Sequence, residues 1–94
     1  MIKSFKDKTS ENIFYSKRIK GISQQLVKKA KRRLDFLHDA VDLNDMCFPP
    51  SNKFHSLEGF NPTRYAISVD KQWRITFLWQ EGNAYEVLLE DYHK

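Results

Sequence analysis

The spacing of apolar side chains changes once along this chain, and that change confines it to a mixed helix-and-sheet architecture. From Ser23 to about Val41, the residues Leu26, Val27, Ala30, Leu34, Leu37 and Val41 recur at intervals of three and four. That is the period of an amphipathic helix of about five turns. From residue 64 onward the interval is two: Tyr65, Ile67 and Val69, then Trp73, Ile75, Phe77 and Trp79, then Tyr85, Val87 and Leu89. Alternation of this kind marks half-buried strands. The joins Asp70-Lys71-Gln72 and Glu81-Gly82-Asn83 are short enough for hairpins, and Gly82 supplies the positive φ that such turns often need. These runs predict a three-stranded antiparallel meander whose Trp73, Ile75, Phe77 and Trp79 face packs on helices.

The rest of the chain frames that core. Residues 2–6 alternate weakly and read as a short N-terminal strand at a sheet edge. Thr9 or Ser10 is placed to cap a short helix running to about Lys17, with Ile13 and Phe14 on its buried side. Gly21 ends this element, Ser23 is the N-cap of the long helix, and Ile22 with Val27 occupies the hydrophobic-staple positions. Residues 42–62 have the composition of a connecting loop, long enough without structure of its own to suggest a functional role. The expected fold is α+β, one domain over residues 1–94: a short strand, two helices packed on one face, then the meander.

Charge divides the chain differently. Of 94 residues, 16 are Lys or Arg and 12 are Asp or Glu, a formal net charge of +4. Residues 1–38 carry eleven basic and three acidic side chains, a surplus of eight; residues 39–94 carry five and nine, a deficit of four. The surplus includes Lys28, Lys29, Lys31, Arg32 and Arg33 on the long helix, a rigid cationic surface suited to a polyanion. The same residues also fit the simpler reading of a solvated helix face. An aromatic content of 14% with three Gly and three Pro argues against disorder. The lone Cys47 excludes an internal disulfide framework and fits a reducing compartment. No stretch has the length of a membrane helix, and Met1 to Lys6 lack the apolar core of a signal peptide, so the expected location is the cytoplasm, with no membrane partner.

Strand parity assigns Arg64, Ser68, Arg74 and Thr76 to the sheet face away from the helices. Arg74 stands out, because packing between Trp73 and Ile75 does not ask for a cation. His38, near a helix C-terminus, reads as structural. Three scattered His and one Cys make a poor metal site, so no metal or other cofactor is expected. Cys47, between Met46 and Phe48, reads as a small packed hydrophobe. A stronger combination is His55, Arg74, Asp91, Tyr92 and His93, provided that loop and C-terminal tail converge on the open face. Metal-free RNA cleavage needs a base for a ribose 2′-OH, an acid for the leaving 5′-oxygen and a cation for the phosphoryl oxygens; two His and an Arg supply that set. An adjacent Asp can tune a His, and a Tyr can stack on a base or bond phosphate.

Several short runs then resemble one family. They are Met1-Ile2-Lys3-Ser4-Phe5-Lys6, Lys20-Gly21-Ile22, His55-x-Leu57-x-Gly59, Ile67-Ser68-Val69 with Trp73-Arg74-Ile75-Thr76-Phe77, and Asp91-Tyr92-His93. In this order, over essentially the whole chain, they resemble the HigB host-killing toxins of the RelE superfamily. The resemblance implies a small fold like that of microbial ribonucleases and a ribosome-dependent mRNA endonuclease of a type II toxin–antitoxin system. It implies a HigA-like helix-turn-helix antitoxin as partner, the ribosome with mRNA in its decoding site as target, and contact with DNA only through the antitoxin complex. By the same resemblance His55 and His93 are the acid/base pair, in unassigned order. Asp91 tunes or positions, Tyr92 holds the nucleotide, and Arg74 stabilises the transition state.

Ser56 and Glu58 depart from the family's loop, where many members carry Pro and Lys. A carboxylate there repels phosphate, which points either to a weak toxin or to a replacement for the missing cation such as Lys53 or Arg64. Two other functions stay open at this point. A ParE-like gyrase toxin would inhibit DNA supercoiling while leaving transcripts uncut. A non-catalytic RNA- or rRNA-binding module would rely on the basic helix and lose affinity steeply with salt.

Overall fold

Ser23 caps the long helix as its sequence suggests: its Oγ accepts from Leu26 N at 3.1 Å. In the computed structural model of the chain, which describes residues 1–92, this helix, α2, spans Gln24–Asp39 and ends at Ala40. Val41, expected at the end of its apolar stripe, lies beyond that cap and is 80% exposed. The shorter helix α1, Lys8–Phe14, is capped by Asp7, whose Oδ1 accepts from Ser10 N at 2.8 Å, and not by Thr9 or Ser10. Ser10 has another task. It is fully buried, and its hydroxyl accepts from Leu89 N at 2.9 Å, which ties α1 to the sheet.

The sheet has four antiparallel strands in chain order: β1, His55–Leu57; β2, Arg64–Ser68; β3, Trp73–Gln80; and β4, Asn83–Asp91. The three expected strands are present, with β1 added at one edge. Asp70 makes the β2–β3 turn by accepting from the amides of Gln72 and Trp73, both at 2.8 Å. Glu81 and Gly82, both at positive φ, form the two-residue β3–β4 turn, which matches the twist of the flanking strands. The N-terminal segment runs along β4 as expected of an edge. It does so through two isolated parallel bridges, Ile2 to Ala84 and Phe5 to Val87, in place of a continuous strand.

The gap between those bridges matches an irregularity in β4. Register shifts between Thr76 and Leu78, where Glu86 adopts φ 49°. This bulge overturns the expected alternation of Tyr85, Val87 and Leu89. Ala84, Val87 and Leu89 join the core, while Tyr85 pairs with Leu78 on the other face. A left-handed conformation costs a non-glycine residue roughly 1–2 kcal/mol, so its neighbours must hold it. Ser4 Oγ accepts from Glu86 N at 2.9 Å, and Arg64 Nη2 donates to the Glu86 carbonyl at 2.7 Å and to Thr76 Oγ1 at 3.0 Å.

On the opposite face Ile67, Ile75 and Phe77 meet Leu26, Ala30, Leu34 and Leu37 of α2 and Ile13 of α1. His38 is structural: its Nδ1 accepts from Ile2 N at 3.1 Å. Residues 42–62 are more ordered than a bare loop. Two 3-10 turns, Leu43–Cys47 and Pro50–Asn52, precede β1. Met46 and Asn52 are buried there, and Asn52 Nδ2 bonds the carbonyls of Met46 and Phe48. Cys47, expected to pack, is exposed. Among the described residues no helix is long and apolar enough to cross a membrane.

Two predictions follow from these contacts. Arg64→Met keeps the bulk but strands the Glu86 carbonyl and Thr76 hydroxyl, so urea unfolding should show a loss of about 1–3 kcal/mol. In the first 3-10 turn the Asp45 carboxylate accepts from Val41 N and Asp42 N, and these bonds hold its pKa below the ordinary 3.8. The stabilisation is therefore complete above that value and is lost as pH falls through the lower folded-state value. The Val41 and Asp42 amide resonances should titrate together in that range, and Asp45→Asn should abolish the transition.

Candidate functional site

Register brings the open-face residues together. Arg74 on β3 lies opposite Ser68 on β2 and opposite Glu90 on β4, so three strands meet at one guanidinium. Arg74 Nε sits 3.6 Å from Glu90 Oε1 and makes no hydrogen bond to any described residue. Its ζ carbon stands 5.3 Å from the centre of the Tyr92 ring, within cation–π range. Tyr92 is placed by the hairpin it crosses: its N donates to Gln72 O at 3.1 Å and its hydroxyl to Asp70 O at 3.4 Å. Asp91 pairs with Trp73 in register and accepts from Gln72 Nε2 at 2.7 Å.

The opposite wall comes from the segment read as a loop. Lys53 closes the second 3-10 turn at φ 47°, and β1 begins two residues later. His55 Nδ1 lies 2.8 Å from the Lys53 carbonyl. A carbonyl oxygen only accepts, so Nδ1 carries the hydrogen, and the neutral ring presents its lone pair at Nε2. Phe54 stacks on Tyr65 with centroids 5.6 Å apart, and β1 pairs with β2, His55 opposite Ala66; both contacts fix this wall.

The result is a pocket of about 130 Å³ lined by Lys53, His55, Ser68, Arg74 and Tyr92. His55 from the loop segment and Tyr92 from the C-terminal segment thus line the same pocket as Arg74. Asp91 lies in an adjoining depression with Trp73, Arg74, Glu90 and Tyr92, and His93 falls outside the described residues. Sequence reasoning put Ser68 on this face without a role and missed Glu90, whose only signal is its register with Arg74. Two cations, an aromatic ring and an imidazole with one nitrogen available form a set that can hold a phosphodiester and move a proton. Among the described residues no cluster of His, Cys, Asp or Glu is arranged to hold a metal ion.

The other candidate cations separate by environment. Lys28, Lys29 and Arg32 are exposed on α2. Lys31 pairs with Asp35 at 2.7 Å and lies 4.8 Å above the Phe14 ring, while Arg33 Nε donates to Ser68 O at 3.1 Å. Arg64, expected on an exposed face, is 6% exposed and engaged in holding the bulge. Desolvation lowers its pKa, partly offset by Glu86 and Glu90. Of the two candidates for the missing loop cation, the structure puts Lys53 in the pocket and Arg64 elsewhere.

Comparison with known proteins gives the family. Residues 3–93 match the family described as RelE-like toxin of type II toxin-antitoxin system HigB. The chain is 34% identical over 93 residues to Endoribonuclease HigB of Proteus vulgaris, covering 99% of this chain and 100% of that protein. It is 36% identical over 95 residues to Toxin HigB-1 of Vibrio cholerae serotype O1, covering 100% and 99%. An uncharacterized protein of Haemophilus influenzae is 29% identical over 69 residues, 73% of this chain and 68% of that one. With a match this complete and relatives of the same length, the chain belongs to the HigB family of RelE-like toxins of type II toxin–antitoxin systems.

Proposed function

We propose that residues 1–94 act as one toxin domain: an endoribonuclease that cuts mRNA in the ribosomal decoding site and is held in check by a cognate antitoxin. The pocket in which His55, Lys53 and Tyr92 surround Arg74 carries this reading. The name of the Proteus vulgaris relative supports it. Such a target belongs to the cytoplasm.

In the proposed reaction a base removes the proton of a ribose 2′-OH. The 2′-oxygen bonds to phosphorus, the bond from phosphorus to the 5′-oxygen breaks, and an acid protonates the leaving oxygen. His55 Nε2 and the His93 imidazole are the two proton carriers. Their order is unassigned. Arg74, whose guanidinium lines the pocket, stabilises charge on the phosphoryl oxygens. Lys53 supplies the second cation that Glu58 cannot. Tyr92 offers a stacking face to a base, and Asp91, anchored by Gln72, positions the tail. The exposed Lys29 and Arg32 serve as the docking face for rRNA.

Induced expression of the wild type should arrest growth and create new mRNA 5′ ends within codons on translating ribosomes. His55→Ala and His93→Ala should each lower cleavage by about 10²–10⁴-fold, and Arg74→Ala by about 10²–10³-fold. Equal cleavage by wild type and all three variants would remove this site from the chemistry. Arrest with intact transcripts and inhibited supercoiling would indicate gyrase instead. Lys53→Ala should weaken binding to single-stranded RNA and reduce the slope of log affinity against log salt by about 0.7, the signature of one lost phosphate contact.

A further inference from the structure

A second concave surface lies between the two helices. The groove is about 450 Å³ and shares no residue with the pocket around Arg74. Its floor is apolar: Ile13 at the bottom, with half-buried Ile19 and Val27 above it. Its rim is cationic, formed by Lys17, Arg18 and Lys28, with Lys31 at the α2 side. No carboxylate lines it. Lys31 is paired with Asp35 one turn on, but Lys17, Arg18 and Lys28 have no salt-bridge partner among the described residues.

These features select an occupant. Phosphates would satisfy the rim and leave Ile19 and Val27 unmatched, because a nucleic-acid backbone has no apolar stripe to lay on them. A helix with aliphatic residues along one side and carboxylates flanking them satisfies both, and Gln24, Val27, Lys28 and Lys31 of α2 form one wall for it. We infer that the α1–α2 groove is a docking site for an acidic amphipathic segment of a partner protein, Ile19 and Val27 taking its apolar stripe and Lys17, Arg18 and Lys28 its carboxylates. The identification of that partner as the antitoxin rests on the toxin–antitoxin reading; the chemistry of the groove does not. The basic face of the chain is then divided, its α1 side reading protein and its exposed Lys29 and Arg32 remaining for RNA.

The test uses the full chain labelled with ¹⁵N and three probes. One is a blocked peptide about five turns long with Leu at i, i+3, i+4 and i+7 repeats and Glu elsewhere. The second is a peptide of the same composition with its Leu scattered, and the third is a single-stranded oligouridine. The amphipathic peptide should bind about tenfold more tightly than the scattered one and shift the resonances of residues 13–19 and 24–31. Lys17→Glu with Arg18→Glu, both exposed, should weaken it by about tenfold. Equal binding of both peptides, shifts lying elsewhere, or shifts in the groove from oligouridine alone would overturn the inference. Growth arrest and mRNA cleavage are read separately, so failure here leaves the ribonuclease reading standing, and the reverse also holds.

Discussion

One buried guanidinium holds the sheet in register. Arg64 starts on β2, reaches Thr76 on β3 and ends on the Glu86 carbonyl of β4, so a single side chain spans three strands. Burying a charge is costly unless it is hydrogen-bonded, and these two bonds engage the Arg64 Nη2 group where the β4 ladder breaks. The consequence travels along β4. With the extra residue at Glu86, Arg74 faces Glu90, and Val87 and Leu89 point into the core. Without it the register would slip by one, setting Leu89 opposite Arg74 and turning apolar residues towards solvent.

The site inherits this arrangement. Glu90 meets Arg74 because of the bulge, and Tyr92, one residue beyond the strand, crosses back over the β2–β3 hairpin to lie above the same guanidinium. Asp70 contributes twice, closing the hairpin through its carboxylate and accepting the Tyr92 hydroxyl through its carbonyl. The other wall depends on packing further away: Asn52 ties the two 3-10 turns together, which sets Lys53 and, through its carbonyl, the His55 ring. Arg33 links the basic helix to the same region by bonding the backbone of Ser68, whose residue lines the pocket. The helix with the densest run of positive charge is thereby fixed relative to the residues that would act on RNA.

Much of this could be read from local pattern. The period of three and four identified α2, Ser23 its start, and alternation located β2, β3 and β4, because these signals lie within a few neighbouring residues. Arg74 was singled out because a cation in mid-strand conflicts with packing. The failures share a cause. Three residues, His55-Ser56-Leu57, are too few to show a period, so β1 was invisible until it paired with β2. Tyr85 was put on the core face because alternation cannot register a bulge imposed by Ser4 and Arg64. Arg64 was counted among surface cations because nothing near it in sequence says that it is buried.

Sequence alone therefore determined α2, β2, β3 and β4 and their order, the division into a cationic first part and an anionic remainder, and the candidate residues for RNA chemistry. Tertiary structure decided which of those residues meet. Contacts such as Ile2 to His38, Arg64 to Glu86 and Ser10 to Leu89 join positions 36, 22 and 79 apart. Over such separations it is the packing of the whole chain, and not any local propensity, that chooses the partner. So Lys53 came to stand beside Arg74 in the pocket, while Arg64, also a cation and on the neighbouring strand, became part of the frame.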